Sequence, residues 1–168
     1  MNICLDKFRV FGFFTIFLIL AGSLSPSHAS GTDKGLQFDQ AHIKIIHSYD
    51  MDSPALSYTV ELAITMDQRA QGLMFRHHMA ADQGMLFFFE QEKQVTMWMK
   101  NTYIPLDLLF LNKRGEIVNI AASAKPLSLD FISSGVPVIS VLELNAGEAK
   151  RQNIKVGDRV IHSFFTKN

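Results

Sequence analysis

Residues 104–111, Ile-Pro-Leu-Asp-Leu-Leu-Phe-Leu, constrain the fold of this chain more than any other stretch. Ile104, Leu106, Leu108 and Phe110 occupy one parity, and Leu109 and Leu111 the other. Successive side chains of a strand point to opposite faces, so a run apolar at both parities must be covered on both sides. Pro105 removes an amide donor and keeps Ile104 out of the helical region, so the chain bends or reaches a sheet edge there. The run predicts an interior strand of a mainly β protein. It also carries a single charge, Asp107, and a carboxylate in such a place needs donors, because an unpaired buried charge is costly.

Other segments follow the same period. Tyr58, Val60, Leu62 and Ile64 alternate with Thr59, Glu61, Ala63 and Thr65, the pattern of a half-buried strand. Residues 38–47 read as a strand that pairs with it across a long loop of Asp, Ser and Pro. Residues 84–89, Gly-Met-Leu-Phe-Phe-Phe, are apolar on both faces. Residues 91–94 read as a polar turn and 95–101 as extended chain. Asn112-Lys113-Arg114-Gly115 predicts a hairpin turn, returning through a strand at 116–122. Residues 124–136 read as a long loop, 138–144 as a strand and 159–164 as the last one. Helical signals are few. Thr65-Met66-Asp67-Gln68 has the form of a capping box and opens a short helix over 66–74, loosened by Gly72. Asn145 to Glu148 predicts a second helix capped by those two side chains. The fold class is mainly β: a compact β-sandwich or partly open barrel with one or two short helices.

The N-terminus reads as an export signal. Lys7 and Arg9 precede an uncharged, mostly apolar run at 10–22, and Ser27-His28-Ala29 places small residues at the −3 and −1 positions of a cut after Ala29. The run is shorter than the ~20 residues of a spanning helix. The alternative is an uncleaved anchor holding the same domain outside the inner membrane. The expected organisation is a signal peptide at 1–29, a flexible leader at 30–37 and one domain at 38–168. The expected location is periplasmic or extracellular. The chain's single cysteine, Cys4, falls in the signal, so the domain has no disulfide, thiolate metal site or cysteine nucleophile. With 16 basic and 16 acidic residues the chain is neutral, and no basic stripe marks a nucleic-acid partner. Membrane contact is expected only through an uncleaved signal.

"TMDQRAQGLMFRHHM", "GMLFFF", "WMKNTYIPLDLLFL", "GEIVNI", "VLELNAG" and Gly157-Asp158 occur in one order between about Tyr58 and Ile161. Together they resemble the domain of unknown function 192 family. The resemblance implies a compact, mainly β fold of jelly-roll-like character, often behind an export signal. It implies no established activity.

Three constellations carry chemistry. In the first, Arg69, Arg76, Trp98, Lys100, Asn101 and Asp107 form a ligand pocket, the 98–107 block folding back so that Lys100, Asn101 and Asp107 meet. Trp98 supplies a flat wall and an arginine a fork for a carboxylate or other anion. In the structural alternative Asp107 accepts from Asn101, backbone amides or an arginine, and Trp98 belongs to the core. In the second, Met66, Met74, Met79, Met85, Met97 and Met99, with His77 and His78, offer soft ligands suited to Cu(I). Core packing explains the same methionines, and neither metal nor cofactor is expected. In the third, Asp82 or Glu90 with Asp107 could form the carboxylate pair of a hydrolase acting on envelope carbohydrate. Ser133-Ser134-Gly135 is not a nucleophile elbow, and no His-Glu-x-x-His motif occurs. The leading expectation is an exported, non-catalytic domain that binds a small polar ligand or an envelope protein at the Trp98 to Asp107 end.

Overall fold

The computed structural model describes residues 36–50 and 52–165. The expected signal segment and most of the leader lie outside the described residues. The elements run β1 (Asp39–Ile46), β2 (Leu56–Ala63), α1 (Met66–Gln71), β3 (Gln83–Met97), β4 (Leu106–Leu111), β5 (Ile117–Ala124), β6 (Ile132–Asn145), α2 (Glu148–Arg151) and β7 (Arg159–Ile161). A 3-10 turn follows at Ser163–Phe165.

The seven strands form one sheet in the order β5-β4-β6-β3-β2-β1-β7, curled into a half-barrel. β2 and β3 are parallel, and the remaining neighbours are antiparallel. The mainly β expectation holds, and the sheet takes the partly open barrel form. Its two edges touch through a bridge between Glu116 and Arg159. Three backbone hydrogen bonds of 2.8 Å stitch the same place: Ile117 to the Asp158 carbonyl, Gly157 to Ile117 and Val160 to Gly115. Gly115 has φ +74°, and a Cβ there would lie 2.4 Å from the Val160 carbonyl oxygen, so the hairpin turn and the seam both need glycine. Beside the seam the buried Asp158 accepts from His47 Nδ1 at 3.0 Å and from the amides of Ser48 and Lys155, each at 2.9 Å.

The sheet separates two cores. The first draws on all seven strands, among them Ile43, Val60, Leu86, Leu109, Ile117, Leu142 and Val160, and fills the inside of the curl. The second covers the other face of the central strands with Met85, Phe87, Leu108, Phe110 and Val141, closed by Leu73, Met79, Met99 and Ile104. All six residues of β4 are buried, as its two-faced apolar pattern requires.

Local expectations hold in part. The Thr65–Gln68 capping box is present, but the helix stops at Gln71 with Gly72 as its C-cap. Residues 91–94 are not a turn. They lie within β3, whose pairing with β6 shifts register between Phe88 and Lys93. Beyond that bulge β3 and β6 pair only with each other, and a two-stranded ribbon tolerates polar residues on both faces. The loop expected at 124–136 is shorter, because β6 already begins at Ile132. Ser134 sits buried in that ribbon, accepting from the Val95 amide at 3.0 Å and donating to the Val136 carbonyl at 2.6 Å. The last strand ends at Ile161 rather than 164. α2 has no side-chain cap of its own, since its N-cap is Gly147. Asn145 instead donates to the Met79 and Ala80 carbonyls, both at 3.0 Å.

Candidate functional site

Asp107 is fully buried and does not meet Lys100 or Asn101. One carboxylate oxygen accepts the Ser123 amide at 2.8 Å and the other the Ala149 amide at 2.9 Å. Ala149 is the second residue of α2, so Asp107 serves from a neighbouring strand as the N-terminal acceptor that Gly147 cannot supply. Ser123 has φ +54°, and the same hydrogen bond fixes the irregular stretch where β4 and β5 shift register. The expected meeting of Lys100, Asn101 and Asp107 therefore does not form. Backbone amides satisfy the acid, as the structural alternative allows.

A second acid, with no hydrogen-bond partner among the described residues, lies on the opposite face of the sheet. Glu143 of β6 pairs with Met85 of β3 and Leu108 of β4, one residue out of phase with the Asp107–Leu144 pair. Its parity places it among the second core, and it is 4 % exposed. Among the described residues no hydrogen bond or ion pair reaches its carboxyl group. Burial pushes that carboxyl up to about 8, so at neutral pH it is an uncharged acid able both to donate and to accept.

Glu143 lines a pocket of about 220 Å³. Its walls include Phe87, Phe89 and Trp98, with Thr96 and Thr102 as further polar groups and Met74 and Met97 between. Gly72 belongs to the lining as well. It has φ +49°, and a Cβ there would stand 3.1 Å from the Phe87 ring, so the α1 C-cap can close over this wall only without a side chain. Residues 96–102 form another side, held by the Met99 amide on the Ser128 carbonyl and the Leu127 amide on Thr102, each at 3.1 Å. A buried carboxyl with aromatic walls and a few convergent polar groups is the usual composition of a small-molecule site.

The sequence-predicted residues divide. Arg69 and Trp98 line this pocket. Arg69 donates to the Ile64 carbonyl and, at 2.9 Å, to that of Phe88, with its guanidinium 5.7 Å from the centre of the Phe89 ring. Lys100 is exposed, its ammonium 5.1 Å from the centre of Trp98. Asn101 stands behind the lining, its amide 3.9 Å from the Met74 sulfur and its backbone at φ +54°. Arg76 is elsewhere, clamped on Glu61 by both guanidinium nitrogens. Met79, Met85 and Met99 are buried in the core, His77 stacks on Tyr103 at 4.7 Å, and no histidine lines the pocket. Asp107 is fully buried, each of its carboxylate oxygens held by a backbone amide.

Glu143 was not legible from its own strand, where 138–144 reads as an ordinary run. The available signal was positional. A strand between 84–89 and 104–111, both apolar on two faces, is itself covered on two faces, so its glutamate is a buried acid. A wider depression of about 740 Å³ lies along β1, β2 and β7. Its one buried titratable group, Tyr58, already donates to Glu148 at 2.7 Å.

The family of domain of unknown function 192 (DUF192), described as an uncharacterized ACR, matches residues 48–162. Among solved structures the chain is similar to a protein of Sinorhizobium meliloti 1021 described as a candidate transcription regulator, with 43 % identity and a TM-score of 0.74 over 77 % of this chain and 98 % of that one. It is also similar to a protein of unknown function from Novosphingobium aromaticivorans DSM 12444, with 34 % identity and a TM-score of 0.69 over 73 % of this chain and 85 % of that one. Comparison with curated proteins finds no match. The chain belongs to the DUF192 family.

Proposed function

We propose that this chain is an exported binding protein for a small polar molecule, and that its site is the pocket above Glu143. One observation carries the reading: a carboxyl group on a largely buried residue has no partner among the described residues and opens onto a pocket wall. Buried polar groups are otherwise satisfied, so an acid left open toward a cavity is a place for a ligand. The basic, apolar and small-residue sequence of the signal pattern supports export. Ligand pockets commonly span ~300–1,000 Å³. At about 220 Å³ this one suits a molecule no larger than a sugar ring or a short organic acid.

Hydrolysis finds less support. A two-carboxylate glycosidase needs paired acids across the bond it cuts, and the pocket is lined by one carboxyl, that of Glu143. The regulator description of the Sinorhizobium protein is not carried over, because the balanced charge of this chain adds no support for a nucleic-acid partner.

Thermal-shift measurements on the full chain against a panel of small sugars and organic acids test the binding reading. A ligand that binds only the folded state raises the melting temperature by mass action. The expected result is a selective shift that shrinks in Trp98→Ala, a substitution at a half-exposed wall. A panel that shifts nothing at millimolar concentration, or a shift that Trp98→Ala leaves unchanged, contradicts it.

A further inference from the structure

The pocket's charges differ between its wall and its rim. Cations stand over aromatic rings that line the pocket: Arg69, itself in the lining, and Lys93 each stand 5.7 Å from the centre of Phe89, and Lys100, outside the lining, stands 5.1 Å from that of Trp98. Among the described residues none of the three is paired with a carboxylate, the acids in ion pairs being Glu61, Glu92, Glu116, Glu148 and Asp158. The buried part is uncharged at neutral pH. Glu143 is paired across the sheet with Met85 of β3 and Leu108 of β4 and shares the lining with Phe87, Thr96 and Thr102, and Arg69 is the one other charged group in that lining. Glu90, exposed, lines an adjoining depression with Arg69 and Lys93.

Resting on the binding reading above, we propose that the ligand is a small hydroxylated organic acid. Lys100 and Arg69 hold its anionic end at the rim, the aromatic walls flank its skeleton, and the neutral Glu143 hydrogen-bonds one of its uncharged oxygens. A cationic ligand would meet unpaired positive charge at the rim and an uncharged acid inside. A neutral sugar would leave the rim cations unused.

The assignment has a proton linkage of definite sign. A bound anion makes ionisation of a nearby carboxyl harder, so the complex keeps Glu143 protonated to higher pH than the free protein does. Affinity is therefore constant while the free Glu143 is neutral and falls once it ionises, above about 8. For one linked proton the loss between about pH 7 and about pH 9.5 is roughly 30-fold.

Three probes of one ring size decide the matter: D-glucuronate, D-glucose and D-glucosamine, titrated by calorimetry against the full chain at both pH values. The expected result is binding of glucuronate above the other two, weakening about 30-fold at the higher pH. Glu143→Gln is expected to change the affinity at the lower pH but to abolish its fall at the higher one, since an amide cannot ionise. Lys100→Ala, at an exposed position, is expected to weaken glucuronate and leave glucose unchanged. Preference for glucosamine, or affinity that is flat or rising with pH, retains the pocket and overturns the acid. Failure of all three probes to bind overturns the underlying reading as well.

Discussion

Two buried acids on one sheet behave in opposite ways, and the cause is what faces each of them. Asp107 receives two backbone amides and is a structural acceptor. Glu143 receives none, and burial alone raises its affinity for a proton. The sign of its effect on stability follows. In the unfolded chain the carboxyl ionises above about 4.5, in the folded protein only above about 8. Between those values ionisation favours the unfolded chain, so Glu143 withdraws stability as pH rises, and the withdrawal is complete above the folded value. Glu143→Gln is isosteric with the neutral acid. It is expected to match wild type in urea unfolding at about pH 4 and to exceed it by several kcal/mol at about pH 8. Equal stabilities at both pH values would contradict a neutral acid.

At the level of elements, legibility tracked how local the cause was. The Thr65–Gln68 box is a four-residue device, and it could be read directly. So could β4, because a strand apolar at both parities has one kind of environment. The cap of α2 could not be read, since its acceptor lies 42 positions away in another strand. The Gln91–Gln94 stretch misled for a different reason. Its side chains are polar because a two-stranded ribbon exposes both faces, and a turn looks the same in sequence. The long-range cap makes its own prediction. Asp107→Ala leaves two amides without their carboxylate, and hydrogen bonds to charged groups contribute about 1.5–3 kcal/mol each. The variant is expected to lose about 3–5 kcal/mol in denaturant unfolding, with the amides of Ser123 and Ala149 exchanging faster. A loss below about 1 kcal/mol would show that neither hydrogen bond matters.

At the scale of the molecule, the sheet divides labour between its faces. The inside of the curl holds the core to which every strand contributes, closed where Gly115 lets the edge strands touch. Asp107 belongs to that side and to stability. The outer face is covered by α1, its following loop and the 96–102 segment, and their imperfect closure leaves the pocket. Of the residues grouped from sequence, Arg69 and Trp98 line this pocket, but the acid beside them is Glu143 and not Asp107, because parity alone does not say which face closes fully. The account rests on Glu143 being neutral at physiological pH in the absence of ligand. The carbon-13 resonance of its side-chain carboxyl, assigned by its loss in Glu143→Gln, reports ionisation at that atom. The account predicts a titration midpoint near 8. A midpoint in the ordinary glutamate range, near 4.3, would contradict it.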